Sequence, residues 1–333
     1  MKRILLGTIL AGIGALTATA TLAQDYPWKP DRPVTIIVPW AAGGSTDQMA
    51  RIVATELEAE LKQKFVVVNQ PGASGSIGTK NAMEAAKDGY TWAAGAAVDV
   101  GTYGVLGLLD TGLKDWRMYF AVANVNVISA NPSTPYKDFG QFLADLKSKG
   151  DSVTVATAGL SSAGHNFMES IKAADSAVKY KHITYNGGAP AVTATVAGET
   201  MTAVASGTVD YAFAEVTAVL ELAKGGRVKI LAVAADKRVA NAPEVPTMSE
   251  AGLSGFEAYT WVGAMVGAKT PAAETARLAE WFTAISKMDE TRAFYERLGA
   301  TPMTGGPAQM HEFQKGEIAL WKRIVQQAKV PLQ

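Results

Sequence analysis

Val34-Thr35-Ile36-Ile37-Val38-Pro39-Trp40-Ala41-Ala42-Gly43-Gly44-Ser45-Thr46-Asp47 is a short β-branched run, a proline, a glycine-containing loop and a cluster of helix-capping residues. The run reads as a buried strand. Met49, Val53, Leu57 and Leu61 follow four residues apart, which predicts a helix with one apolar face. Phe65 to Val68 is a second strand, residues about 75–86 a second helix, and Tyr90 to Ala94 a third strand after the turn Asp88-Gly89. This β-α-β-α-β order predicts a parallel sheet covered by helices.

Working outward, Met118 to Ser129 is apolar and extended and ends at Asn131-Pro132; it reads as a first crossing into another lobe. There the alternation resumes: helix 137–148, strand Val153 to Ala156, loop 157–162, helix 163–174, strand 180–184, loop 185–188 and helix 189–197. A strand at Val209 to Phe213, a helix at 215–224 and a strand at Val228 to Val233 complete the second lobe. Pro243 and Pro246 punctuate a return, followed by a strand near Tyr259 to Val266 and helices over about 271–287, 290–299 and 307–328. The expectation is an α/β fold of two lobes, with mixed, mostly parallel sheets flanked by helices. Residues 24–126 plus 247–333 form lobe 1 and residues 127–246 lobe 2. Ligands of open α/β sheets sit beyond the carboxyl ends of the strands, so the cleft between the lobes is the expected site.

The charge balance is even, 31 basic against 31 acidic residues, which argues against a nucleic-acid partner. Lys2 and Arg3, the apolar stretch Ile4 to Leu16 and the small residues leading to Thr21-Leu22-Ala23 have the layout of a secretory signal peptide, residues 1–23, cut after Ala23. The chain has no cysteine, which excludes disulfides and a thioether lipid anchor. A freely diffusing periplasmic protein, acting as a monomer, is expected.

The loops carry the chemistry. Gly43 and Gly44 let backbone approach a ligand, and Ser45, Thr46 and Asp47 open a helix whose free N–H groups favour an anion. The competing reading is an ordinary βα loop with Asp47 capping its own helix. The second loop, Thr157-Ala158-Gly159-Leu160-Ser161-Ser162, repeats the device before a helix carrying His165, and Tyr185-Asn186-Gly187-Gly188 does so again. His165 either packs or caps, or braces the loop from behind. Glu215 ends a strand at the cleft; it either complements a helix dipole or pairs with an amino group or a protonated ligand. Trp40 either packs on the ligand's carbon skeleton or walls the lobe interface.

There is no nucleotide P-loop and no dinucleotide fingerprint. The three histidines, His165, His182 and His311, lack metal-ligand spacing, so neither metal nor cofactor is expected. Gly159-Leu160-Ser161-Ser162-Ala163 approaches a nucleophile elbow but ends in alanine, and no histidine has an evident acidic partner. A secreted serine hydrolase using Ser161 is therefore only the rival to a non-catalytic binding protein.

The segment Val38 to Asp47 resembles the signature of the Bug family, the periplasmic solute receptors of tripartite tricarboxylate transporters. The likeness continues through Asn69-Gln70-Pro71-Gly72-Ala73, Ile77-Gly78, Asp88-Gly89-Tyr90-Thr91, Ser162 to His165, Tyr185-Asn186-Gly187, Lys237-Arg238, Pro243-Glu244-Val245-Pro246-Thr247 and Glu250-Ala251-Gly252. The resemblance implies a type II-like two-lobe periplasmic binding protein, not an enzyme. It would close on a small organic carboxylate through backbone, hydroxyls and ordered water, and deliver it to membrane permease subunits or present it to a signalling partner. By motif position Gly43, Gly44, Ser45 and Asp47 map to the first binding loop, and Gly159, Ser162 and His165 to the second. Departures are Trp40 where many relatives carry Phe, Ala214-Glu215 where relatives often carry Asp-Asn, and the glycine-rich segment Gly95 to Leu109.

Overall fold

A computed structural model describes residues 30–132, 138–160, 162–188, 209–297, 299–303 and 307–328. The expected signal peptide, the helix over 189–197 and Ser161 lie outside these residues. The first unit runs β1 (Val34–Val38), α1 (Ser45–Leu61), β2 (Phe65–Asn69), α2 (Ser76–Glu84), β3 (Thr91–Ala96) and α3 (Ala97–Leu106). β4 (Trp116–Ala130) leads into α4 (Phe139–Ser148), β5 (Thr154–Thr157), α5 (Ala163–Ala174) and β6 (Lys181–Thr184). β7 (Tyr211–Glu215), α6 (Val216–Lys224) and β8 (Lys229–Val233) follow. The chain closes with β9 (Tyr259–Gly267), α7 (Ala272–Ile285), α8 (Asp289–Arg297), β10 (Ala300–Met303) and α9 (Pro307–Ala328). No helix among the described residues is long and apolar enough to cross a membrane.

The strands join in the order β2-β1-β3-β9-β4-β7-β5-β6, with β8 and β10 also on β4. β1 pairs in parallel with β2 and β3, and β5 with β6 and β7, as β-α-β units require. β4 is the join. Residues 116–125 pair antiparallel with β9, and Asn126 to Ala130 pair with β7. The crossing expected at 118–129 is therefore one strand serving both sheets. The returning chain meets it there: Asn126 N–H donates to Ala258 O (2.9 Å), Ala258 N–H to Ala234 O (2.9 Å) and Ala234 N–H to Asn126 O (2.9 Å).

Each sheet has its own core. In the first, Trp92 lies between Phe65 and Phe282 at 5.4 and 5.6 Å, and Tyr119 stacks on Phe282. In the second, Phe139, Phe142, Phe167, Tyr211 and Phe213 are buried together, and Met248 and Ala258 share that cluster. The return connection thus packs in the second core as far as Ala258, beyond the boundary at 247 expected from sequence.

Two elements were not foreseen. α3 occupies the glycine-rich segment, where Val100, Tyr103 and Leu106 are buried. A Cβ at Gly101 would run into Ile318 of α9, so the glycine lets the two helices approach. β10 is a short strand fixed by pairing with residues 121–124 of β4.

α5 and β6 hold two histidines face to face, His165 buried and His182 half-buried. The His165 and His182 rings stack at 4.3 Å and 5°, and His182 Nε2 lies 2.6 Å from Thr157 Oγ1. Burial, with Lys172 adding to it, pushes His182 down to about 4; burial and then His182 and Lys172 push His165 well below the ordinary histidine value. Between the unfolded value of 6.5 and about 4, the unfolded chain binds protons that the folded one does not. Stability supplied by the neutral rings is complete above 6.5 and is lost as pH falls. The stability of the wild type relative to His182→Gln, by denaturant unfolding, is expected to drop by on the order of 3 kcal/mol across that window; a difference that stays constant with pH contradicts it.

Candidate functional site

The carboxyl ends of β1, β5, β6 and β7 open onto one cavity. It has an empty volume of about 460 Å³, counting space open to solvent. Its walls come from Trp40, Gly44, Ser45 and Thr46 on one side, and from Ala158, Ser162, Ala163, Gly187, Gly188 and Glu215 on the other, with Thr260 of β9 at the join. The sides touch above it: Ala41 N–H donates to Asn186 O at 2.8 Å, and Gly159, at φ +146°, lies against Ser74. This is a closed cleft.

The first wall is the start of α1. Gly44 is its N-cap, with extended backbone and no side-chain cap, so the opening N–H groups are not consumed within the helix. Ser45 and Thr46 are buried beside them. Asp47 faces the other way, into protein. Its carboxylate accepts from Gly43 N–H (2.9 Å), Asn69 Nδ2 (2.9 Å) and Arg51 Nε (3.1 Å). Burial raises its pKa, but the bonds from Arg51, Gly43 and Asn69 outweigh that and hold the carboxyl below its usual range. Asn69 also donates to Trp40 O at 3.1 Å, so one Asp–Asn pair fixes both ends of the loop. Asp47 is neither helix cap nor cavity wall; it is the loop's anchor.

The second wall is the start of α5. Ser162 is the N-cap and its Oγ accepts from His165 N–H at 3.3 Å, leaving the hydroxyl proton to donate elsewhere. Thr157 is turned inward, with Oγ1 donating to Gly159 O at 3.2 Å. Gly187 N–H donates to Ala158 O (3.0 Å) and Tyr185 N–H to Thr157 O (3.0 Å), which locks the third loop onto the second. Of the residues singled out in sequence, Trp40, Gly44, Ser45, Thr46, Ser162, Gly187 and Glu215 reach the cavity. Gly43, Asp47, Thr157, Gly159, His165 and Tyr185 stand outside its lining. His165 takes the bracing position, stacked behind the loop rather than facing the cleft.

The sequence-derived site left out Thr260, Ala158, Ala163 and Gly188, although Ala158 and Gly188 belong to loops already read as anion-binding and Ala163 adjoins one. Thr260 carries no local signal and arrives through β9. It donates from Oγ1 to Glu215 Oε1 at 3.2 Å, while Glu215 Oε2 is buried with no hydrogen-bond partner among the described residues. Burial pushes the Glu215 carboxyl up, against hydrogen bonds from its own backbone N–H and Thr260. Glu215 is the N-cap of α6 but makes no side-chain cap bond. Among the described residues, no lysine, arginine or histidine lines the cavity.

Comparison with known proteins agrees with this geometry. A family model described as the tripartite tricarboxylate transporter family receptor matches residues 49–330. BugT of Bordetella pertussis is 30% identical over 330 residues, covering 97% of this chain and 98% of its own. A Pseudomonas sp. protein from the tcbD-tcbE intergenic region is 32% identical, covering 95% and 93%. Among solved structures, the periplasmic binding protein BugD superposes with a TM-score of 0.82 at 28% identity, over 91% of this chain and 100% of that one. The R. palustris protein Rpa4515, solved with adipate, gives 0.82 at 26% identity over 91% and 99%. MatC from Rhodopseudomonas palustris, solved with malate, gives 0.80 at 28% identity over 89% and 99%. The matched family model spans most of the chain, its relatives share two-lobe receptor architecture, and the chain belongs to the tripartite tricarboxylate transporter receptor family.

Proposed function

We propose that the protein is an exported, periplasmic solute receptor that captures a small organic carboxylate between its lobes and delivers it to the membrane permease of a tripartite tricarboxylate transporter. The observation that carries this reading is the convergence of the α1 and α5 starts on a cavity that no basic side chain lines among the described residues. Orphan helix N–H groups and the positive end of each macrodipole favour an anion there. Ser45, Thr46 and Ser162 supply hydroxyls and Trp40 an apolar wall for the carbon skeleton. Two relatives were solved with dicarboxylates, adipate and malate, which supports this ligand class. Export rests on the layout of residues 1–23. The chain's two passages between sheets, near Asn126 on β4 and Ala258 before β9, are the natural hinge for opening and closing. Lobe 1 is then the unit around β1–β3 and lobe 2 the unit around β5–β8. Binding by this route uses hydrogen bonds rather than a charge clamp and needs no catalysis, metal or cofactor.

Melting the purified mature chain against mono-, di- and tricarboxylates, with sulfate and phosphate alongside, tests the reading. A ligand at a hundredfold excess over its Kd adds about 2.7 kcal/mol, and at least one carboxylate is expected to raise Tm accordingly. Stabilisation by inorganic oxyanions and by no organic acid contradicts the carboxylate reading. The first wall has its own test. A Cβ at Gly44 would meet only Ala41 O, at 3.6 Å, so a side chain there is tolerated by the fold. Gly44→Leu is expected to weaken carboxylate binding at least about tenfold, the worth of one charge-assisted hydrogen bond, with the unliganded Tm little changed. Unaltered affinity removes the α1 start from the site.

A further inference from the structure

Glu215 is, among the described residues, the one acidic side chain lining a cavity read above as an anion site, and its geometry resolves the contradiction. The residue ends β7, opposite Asn126 on β4, and is only 8% exposed. A hydrogen-bond chain fixes its orientation. Asn126 Nδ2 donates to Ala258 O (3.3 Å), which sets the amide's orientation, and to Thr260 Oγ1 (3.0 Å). Thr260, accepting from Asn126, passes its own proton to Glu215 Oε1 (3.2 Å). Oε1 is therefore an acceptor in this chain. The opposite oxygen, Oε2, lies against Gly188, where any Cβ would collide with it, and has no partner among the described residues.

A buried carboxylate with no cation beside it among the described residues is far costlier than a neutral acid, which favours the protonated form. With Oε1 committed as an acceptor, that proton sits on Oε2, at the cavity wall. We propose that Glu215 is a specificity-determining residue that donates a hydrogen bond from a protonated Oε2 to a second oxygen acceptor of the ligand, such as the distal carboxylate of a dicarboxylate. The proposal rests on the carboxylate reading above and deepens it. One carboxylate meets the helix starts; the other oxygen group meets an acid rather than a base. A ligand lacking the second acceptor leaves Oε2 buried and unpaired, which is how a neutral acid discriminates.

Titratable groups on the surrounding elements do not blur the test. Asp47 on α1 is held ionised by Arg51 and Asn69, and His165 on α5 and His182 on β6 are held neutral by burial. Tyr185 in the third loop and Tyr259 on β9 are both shifted upward by burial, Tyr259 to about 12. None of them lines the cavity.

The experiment compares wild type, Glu215→Gln and Glu215→Leu, with malate, adipate and hexanoate as probes, by calorimetric titration across pH, and by denaturant unfolding without ligand. Glutamine keeps a donor and cannot ionise. The expected result is that the variant Glu215→Gln binds a dicarboxylate within a few-fold of wild type, while Glu215→Leu loses about ten- to a hundredfold. Wild-type affinity is expected to fall as pH rises through the Glu215 titration, by up to about tenfold per pH unit, and the glutamine variant to lose that dependence. Without ligand, the wild type is expected to lose stability relative to Glu215→Gln as pH rises above the unfolded glutamate value of 4.5, because the folded carboxyl holds its proton longer. Affinity that collapses in Glu215→Gln, or that rises with pH above the titration of the ligand's own carboxyls, shows an ionised Glu215 and overturns the proposal. Equal binding by all three proteins, or preference for hexanoate over adipate in the wild type, also overturns it. Absence of carboxylate binding by wild type and both variants is instead failure of the parent reading, and the unfolding comparison still reports whether the proton is there.

Discussion

β4 belongs to both sheets at once. Its first part pairs with β9 and its last five residues with β7, so one strand carries the chain from one core into the other. That constraint orients everything else. The parallel strands of the two sheets present their carboxyl ends to a common space, and the loops after β1, β5, β6 and β7 meet there. Asn126 lies on the crossing segment, Thr260 on the strand beside it, and together they reach Glu215. The site is thus tied to the join between the sheets through side chains as well as through the chain.

In the proposed reading the cavity draws its anion preference from backbone. The starts of α1 and α5 line it, and the residues behind them keep those starts in place. Asp47 shows the division of labour: it is charged and buried 2.9 Å from Gly43 N–H, yet it spends that charge on the loop rather than on the cleft. The His165–His182 stack does the same for the second loop. Such a site interacts with a ligand over hydrogen-bond range and is little screened by salt, unlike a surface clamp of basic side chains.

Much of this was legible in the residues. The strand at 34–38, the helix at 163–174 and the long crossing strand were marked by strong periodicity and clear stop signals. α3 was not, because Val100, Tyr103 and Leu106 bury its apolar face inside a glycine-rich run whose Gly101 answers to a helix that comes more than two hundred residues later. β10 is too short to announce itself and owes its existence to pairing with β4. In the site, loops beside helix starts were readable, since glycine, serine and threonine there have local reasons. Which side of the loop each residue faces was not: Asp47, Thr157 and Gly159 point into the scaffold because of Asn69, His182 and Ser74, partners distant in sequence. Thr260 was invisible for the same reason.

A crystal structure of the mature protein with its tightest-binding carboxylate tests the central claim most directly. The account predicts a carboxylate group within hydrogen-bond distance of the backbone N–H groups that open α1 and α5, between closed lobes, with no lysine or arginine touching it. A carboxylate held by a basic side chain, or seated outside the cleft between the two sheets, would contradict it.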